Sequence, residues 1–337
     1  MNTLNKKRIQ KFFANKRAKY SLYLFGMILF ICIAAPFIAN DRPLVVSFNQ
    51  QWYFPIFKTY PETTFGGDFE SEANYHDSYI QELIQSKGWL LFPPIPYRYD
   101  TIIMGLSDVA PTPPDSKNFL GTDDQSRDLL SRLIYGYAIS LAFGLLLTFF
   151  SSIIGIIVGA IMGYYGGKID LFSQRFVEIY SSMPVLFLVI IFSSVIESSF
   201  WWLLLFLSLF SWVGLVNVVR AEFLRGRNLD YVRSSKALGA SDCRIIFKHI
   251  LPNAFPIILS FLPFVLSSSI TMLTSLDFLG FGLPVGSPSL GEVLNQAKEN
   301  LYAPWIGISA FISIAFLLSV LVFIGEGLRD AFDPRNG

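Results

Sequence analysis

Charge is scarce in this chain. Asp, Glu, Lys and Arg make up 15% of its 337 residues, while hydrophobic residues make up 53%. Soluble domains carry about 25% charged residues. That deficit excludes an ordinary soluble domain, and with a mean hydropathy of +0.49 it makes the chain an integral membrane protein. Cysteine and histidine are scarcer still. Cys32 lies in an apolar run and Cys243 in a polar loop, on opposite sides of the membrane in the topology below, so a disulfide between them is not expected. Their spacing fits no metal site, and two histidines, His76 and His249, exclude a histidine metal cluster. A net charge of +1 gives no ground for nucleic-acid binding. A phosphate-binding G-x-x-x-x-G-K-[ST] loop is also missing, so any ATP must bind on another chain.

What is present is a set of long apolar runs. A bilayer span needs about 20 apolar residues, and six runs meet it: Tyr20–Ala39, Ile139–Gly163, Ile179–Ile196, Trp201–Val219, Phe255–Leu276 and Trp305–Gly325. Pro184 interrupts the third; proline is tolerated where neighbouring helices satisfy the freed carbonyl. Trp201, Trp202 and Trp305 sit at span ends, where amphipathic rings favour the interface. The first run exceeds the usual 7–15 residues of a signal-peptide core, and Pro36 suits cleavage after Ala35 badly, so it is read as a retained span.

Away from their ends the runs contain no Asp, Glu, Lys, Arg or His. A charge at the centre of a span costs about 2.5–3.5 kcal/mol on insertion scales, so it is kept only for use. Proton- and ion-coupled carriers need such groups, and their absence argues against a proton-coupled peptide transporter. Ser151, Ser152, Ser193, Ser194, Ser267, Ser268, Ser269, Thr271, Thr274 and Ser275 supply the polar content, either as packing contacts or as a mildly polar path. Gly155, Gly159 and Gly163 recur every four residues, which marks a close-packing helix face.

Orientation follows from the flanking cations. Residues 1–19 hold Lys6, Lys7, Arg8, Lys11, Lys16, Arg17 and Lys19 and no acid, so this end is expected in the cytoplasm. Residues 220–254 are also basic, which suits six spans with both termini cytoplasmic. Residues 40–121 are acid-rich and fall outside. This insertion is rich in aromatics and proline, with Trp52-Tyr53-Phe54-Pro55 and Pro93-Pro94, and no nucleophile–base constellation; a folded cap on the outer membrane face is expected, rather than a hydrolase or sensor domain. Thr122-x-x-Gln125 has the form of a capping box, which predicts an amphipathic interfacial helix over Asp123–Tyr135 leading into the second span.

The polar stretch Asn228–Pro252 stands out between the apolar runs. Asp230 is a candidate N-cap for Tyr231–Leu238, Gly239 falls where a positive φ is needed, and Ser241 or Asp242 can cap a second helix through Ile250. Pro252 is expected to separate that helix from the fifth span. Small residues around the bend leave room for another protein; snorkelling of the arginines to lipid headgroups accounts equally for the charge.

Arg233-Ser234-Ser235-x-x-x-Gly239, ending in Leu251-Pro252, resembles the "EAA" coupling loop of binding-protein-dependent ABC importer permeases. Arg233 stands at the acidic position, and serines replace both alanines. Leu120-Gly121-Thr122-Asp123-Asp124-Gln125-Ser126-Arg127-Asp128 resembles the Gly-Thr-Asp…Gly-Arg-Asp segment of the C-type permeases of dipeptide and oligopeptide importers; Ser126 replaces a Gly, and Ala138 an Arg common in that family. Gly163-Tyr164-Tyr165-Gly166-Gly167-Lys168-Ile169-Asp170 and Phe278-Leu279-Gly280-Phe281-Gly282 resemble it too. The long insertion, Arg220–Arg225 and Ser275–Pro284 are most similar to the Yej-type branch, associated with import of peptides and the peptide–nucleotide antibiotic microcin C.

The resemblance implies an all-α integral membrane protein of the type I ABC importer permease fold. It would have six transmembrane helices, with a periplasmic insertion between the first two, in a Gram-negative inner membrane. Residues 122–330 would form the transmembrane domain. The chain would not itself be an enzyme and would bind no cofactor. Its implied partners are a second permease, ATPase subunits holding ATP and Mg, a periplasmic peptide-binding protein and membrane lipid. Arg233, Ser234, Ser235, Leu238, Gly239, Ala240, Leu251 and Pro252 would couple to the ATPase. Asp277 and Phe278, at the outer end of the fifth span, are candidates for a periplasmic gate. A nickel importer shares these motifs and remains the alternative substrate reading.

Overall fold

A computed structural model describes residues 3–106 and 108–332. Helix α1 (Thr3–Ala14) is followed by α2 (Lys16–Ile33). Asn15 separates them by capping α2: its Oδ1 accepts from the Arg17 and Ala18 N–H groups at 3.1 and 3.3 Å. A single turn, α3 (Ala35–Ile38), follows with Pro36 in its first positions. The first expected span is thus carried by two elements. Lys16, Arg17 and Lys19 open α2 and leave Tyr20–Ile33 as its apolar length, about 21 Å at the helical rise.

Among the described residues, four helical stretches are long and apolar enough to cross a membrane: Leu129–Tyr165, Phe200–Gly226, Asp242–Phe278 and Pro304–Phe332. A bent pair, α6 (Gly167–Ser181) and α7 (Val185–Ser193), makes a fifth, with an angle of 57° between its halves. The third expected span, Ile179–Ile196, is therefore corrected. The chain leaves the helix after Ser181 and restarts beyond Pro184, because the residue before a proline is driven out of the helical region.

Helix α5 (Leu129–Tyr165) also departs from expectation. No separate interfacial helix covers Asp123–Tyr135, and the Thr122-x-x-Gln125 capping box does not form. Thr122 Oγ1 instead accepts from the Thr112 N–H at 2.8 Å. Asp123 Oδ1 accepts from the Gln125 and Arg127 N–H groups, both at 2.9 Å, and closes a turn. Asp128 takes the capping role, accepting the Ser131 N–H at 2.8 Å.

The chain divides into two compact units. One holds the chain up to 26, 140–284 and from 315 onward; the other holds 27–139 and 285–314. The second unit contains the insertion as a small fold of its own. Strands β1 (Val45–Phe48), β2 (Gln51–Tyr53) and β3 (Gly88–Leu91) form an antiparallel sheet in the order β2-β1-β3. Helix α4 (Ser78–Lys87), capped by Asp77, covers one face. Alternation puts Val46 and Phe48 on that face, where they join Phe65, Tyr75, Ile80 and Ile84 in a buried core.

In the first unit, α9 (Val213–Gly226), which follows α8 (Phe200–Ser211), packs on α5 through the glycine stripe. A Cβ at Gly155 would lie 2.8 Å from the Trp212 carbonyl oxygen, one at Gly159 2.8 Å from that of Val216, and one at Gly163 2.6 Å from that of Arg220. The stripe is a packing face, as its spacing predicts.

Candidate functional site

The polar loop folds as two helices around a corner. Helix α10 (Asp230–Ala237) starts at Asp230 itself, so Leu229, not Asp230, is the N-cap, and it makes no side-chain cap bond. At its end Gly239 has φ +82°. The Gly239 N–H donates to the Lys236 carbonyl at 3.0 Å and the Ala240 N–H to the Ser235 carbonyl at 3.1 Å. This pair of bonds is a Schellman cap. It satisfies the carbonyls that α10 would otherwise leave unpaired and turns the chain sharply.

Beyond the corner, α11 (Asp242–Arg244), a π-helical turn over Ile245–Ile250 and α12 (Leu251–Phe278) run on as one rod. The expected break at Pro252 is absent. Proline has no N–H to give, and the ladder absorbs the loss by widening: the Leu251 N–H donates to the Ile246 carbonyl, five residues back. The corner is therefore coupled directly to the membrane-length helix.

Three anchors hold the corner. Val232 is buried with Phe223, Ile245, Ile246 and Ile250 in one apolar cluster. Asn253 donates to the Tyr231 hydroxyl at 3.0 Å. The Tyr164 hydroxyl donates to Asp242. The opposite side stays open. Arg233, Ser234 and Gly239 are exposed, and Leu238 is 88% exposed, an unusual position for a leucine. Ser235 and Ala240 are half-buried, Ser235 through its own bond to the Tyr231 carbonyl. Pro252 is exposed and Leu251 half-buried against the cluster. A pinned base with an apolar tip is suited to insertion in a cleft of another protein.

Asp277 and Phe278 lie at the other end of α12, roughly 38 Å from Pro252 at the helical rise. Asp277 is buried and accepts the Leu283 N–H on Oδ1 at 2.7 Å, which fixes the turn that follows. Phe278 is half-buried. One rod thus joins the two candidate sites. Next to it, α7, α8, α9 and α12 enclose a cavity of about 410 Å³ lined by Phe210, Ser211, Phe264, Ser268, Ser269 and Met272. Its lining is apolar with scattered hydroxyls and carries no charge.

Two polar constellations escape sequence reasoning. Arg220 pairs with Asp170 through both carboxylate oxygens, at 2.5 and 2.6 Å, tying α9 to α6. In the second unit, Asp123, Arg127 and Arg132 are buried together; the Arg127 Nε–Asp123 Oδ2 distance is 2.7 Å. Arg132 also pairs with Glu292 of α13 (Leu290–Glu299), and Gln296 donates to Glu292 Oε1 at 2.8 Å. Burial pushes the neighbouring Asp128 carboxyl above its ordinary range, against the Ser131 and Leu130 hydrogen bonds that pull it down. The signal for α13 was present in Ser289 and Glu292, which follow a capping pattern; no local signal pairs Glu292 with Arg132.

Comparison with known proteins adds to this geometry. A family model described as "Binding-protein-dependent transport system inner membrane component" matches residues 155–337. The chain is 52% identical over 336 residues to the "Inner membrane ABC transporter permease protein YejE" of Escherichia coli K12, covering 100% of this chain and 98% of that one. It is 48% identical to the "Peptidoglycan transport system permease protein YejE" of Agrobacterium fabrum, with 98% and 93% covered. To an "Oligopeptide transport system permease protein OppC" of Lactococcus lactis it is 35% identical over 223 residues, 65% of this chain and 76% of that one.

Proposed function

Because the chain belongs to the family of binding-protein-dependent transport system inner membrane components, we propose that it is one membrane subunit of an ATP-driven importer of peptides. The observation that carries this reading is the near full-length likeness, insertion included, to two Yej permeases, one named for peptidoglycan transport. The more distant likeness to an oligopeptide permease favours peptide over nickel as cargo. Peptide conjugates of the microcin C kind fall in the same class.

In this reading the chain pairs with a second permease. ATPase subunits receive the Gly239 corner in the cytoplasm, and a periplasmic peptide-binding protein docks outside. ATP and Mg bind on the ATPase, and both termini of this chain face the cytoplasm. Leu238 enters the ATPase cleft, and Ser234, Ser235 and Ala240 allow close approach. Arg233 lies beside them, and Leu251 and Pro252 carry the motion into α12. A handle that met both ATPase states equally would shift nothing, so these contacts must differ between states. Movement at the corner passes along α12 to Asp277 and Phe278, which gate the outer end. The uncharged cavity beside α12 is this chain's share of a path that holds peptide weakly enough to release it.

The test is uptake of labelled peptide by inverted-control and right-side-out vesicles from a Gram-negative strain expressing the whole importer. Uptake should require ATP and should cease with Gly239→Asp. Co-purification in mild detergent should recover the ATPase and a second permease. Import that survives ATP depletion, or a chain that transports alone, overturns the reading.

A further inference from the structure

The first unit carries a second concave feature, which on α12 begins at Phe255, three residues beyond Pro252. Two adjoining cavities, of about 480 and 570 Å³, lie along α2, α5, α12 and α14 (Pro304–Phe332), with α1 at one end. They share Leu22, Phe255, Leu259, Ile324 and Leu328, so they form one continuous groove. Along α12 the groove runs from Phe255 to Leu266, about 16 Å at the helical rise. Its lining is almost wholly apolar. One charged residue lines it: Arg8 of α1, at one end, its guanidinium 5.3 Å from the centre of the Phe332 ring.

The surroundings of that end are cationic. Lys7 and Arg17 are exposed on α1 and α2, and no acid occurs in residues 1–19. Glu326 and Asp330 on α14 are exposed and do not line the groove. Helix α1 also exposes Ile9 and Phe13 beside its cations, the composition of a helix lying in a membrane interface. A cation at the mouth of an apolar slot matches a ligand with one anionic head and a hydrocarbon tail. A transmembrane helix of a partner would fill the slot without using Arg8.

We infer that this groove binds an anionic phospholipid, its phosphate at Arg8 and one acyl chain laid between α12 and α14. Clustered cations at a membrane surface favour anionic over zwitterionic headgroups. The site is independent of the cargo and rests only on the chain being a membrane subunit.

The importer, purified with its partner subunits and delipidated in mild detergent, is melted with phosphatidylglycerol or phosphatidylcholine added. Phosphatidylglycerol should raise Tm by at least about 2 °C more than phosphatidylcholine. Arg8→Glu should abolish that difference, and Arg8→Lys should keep most of it. Leu259→Trp should reduce the stabilisation by both lipids by filling the slot. Should Arg8→Glu fail to accumulate, Arg8→Gln takes its place. Equal shifts with the two lipids in the native complex overturn the inference, as does a phosphatidylglycerol preference that survives loss of the Arg8 charge. Crosslinking of Leu259→Cys to another permease chain, rather than to a photoactivatable phospholipid, overturns it too.

Discussion

The Tyr164 hydroxyl donates a 2.5 Å hydrogen bond to Oδ1 of Asp242. Tyr164 is the penultimate residue of α5, and Asp242 is the first of the rod that becomes α12. The bond therefore fastens the far side of the Gly239 corner to a different membrane helix. Lys236, on the near side, lies 5.9 Å over the same Tyr164 ring. One aromatic residue touches both arms of the bend and ties them to each other.

Removing that hydroxyl should loosen the bend without dismantling it. A hydrogen bond to a charged acceptor contributes about 1.5–3 kcal/mol. Tyr164→Phe keeps the ring and its place in the core cluster. The expected outcome is an importer that assembles and hydrolyses ATP but moves less peptide per ATP. Unchanged peptide-to-ATP stoichiometry in reconstituted vesicles would show that the bond does not transmit force.

Gly239 separates backbone from side-chain effects. At φ +82° an added Cβ meets nothing within 4 Å in the isolated chain, so strain there comes from the backbone alone. For most residues the left-handed region costs about 1–2 kcal/mol, while asparagine tolerates it. Gly239→Asn should keep the Schellman corner and lose import only in so far as the ATPase contact lacks room. Gly239→Val should lose the corner itself. A valine variant that imports at the native rate would mean the corner's geometry is not used.

How much of this was legible in the sequence depends on range. The Gly239 bend, the glycine stripe and the apolar helices follow from local chemistry: a residue that permits positive φ, residues that permit close approach, and runs that avoid charge. Asp123 shows the opposite. Its local pattern suits a helix start, but its carboxylate is held by Arg127 and Arg132, and Glu292, more than 160 residues on, completes the set. Pro184 and Pro252 carry the same local signal and end differently. The first sits where the chain can leave the helix, whereas the second lies in a segment that widens to a π-turn and continues. The Tyr164–Asp242 bond spans 78 residues and had no local signature at all.

The buried ionic set makes a prediction by its asymmetry. Arg132 is fully buried and pairs with both Asp123 and Glu292. Breaking a buried pair from one side strands the other charge and costs about 3–5 kcal/mol, whereas replacing the pair by apolar residues of similar volume is often neutral. Glu292→Ala should sharply lower the amount of folded importer recovered from membranes. Combining Arg132→Met with Glu292→Met should recover more than either single change. If the double variant is the poorest of the three, the network does more than satisfy its own charges.

Two glycines in the first unit test the packing of α5 on α9. A Cβ at Gly163 would stand 2.5 Å from Phe223 Cβ and 2.6 Å from the Arg220 carbonyl oxygen, both on α9. A Cβ at Gly214, on α9 itself, meets nothing within 4 Å. Alanine is the better helix former at either place by about 1 kcal/mol. At Gly163 that gain is opposed by overpacking, which typically costs about 1–3 kcal/mol. The separation it forces would also shift Arg220, whose guanidinium holds Asp170. Gly163→Ala should therefore lower the melting temperature of the purified importer, and Gly214→Ala should leave it unchanged or raise it. Equal effects at the two positions would mean that α5 and α9 separate freely, and that the stripe of small residues does not set their spacing.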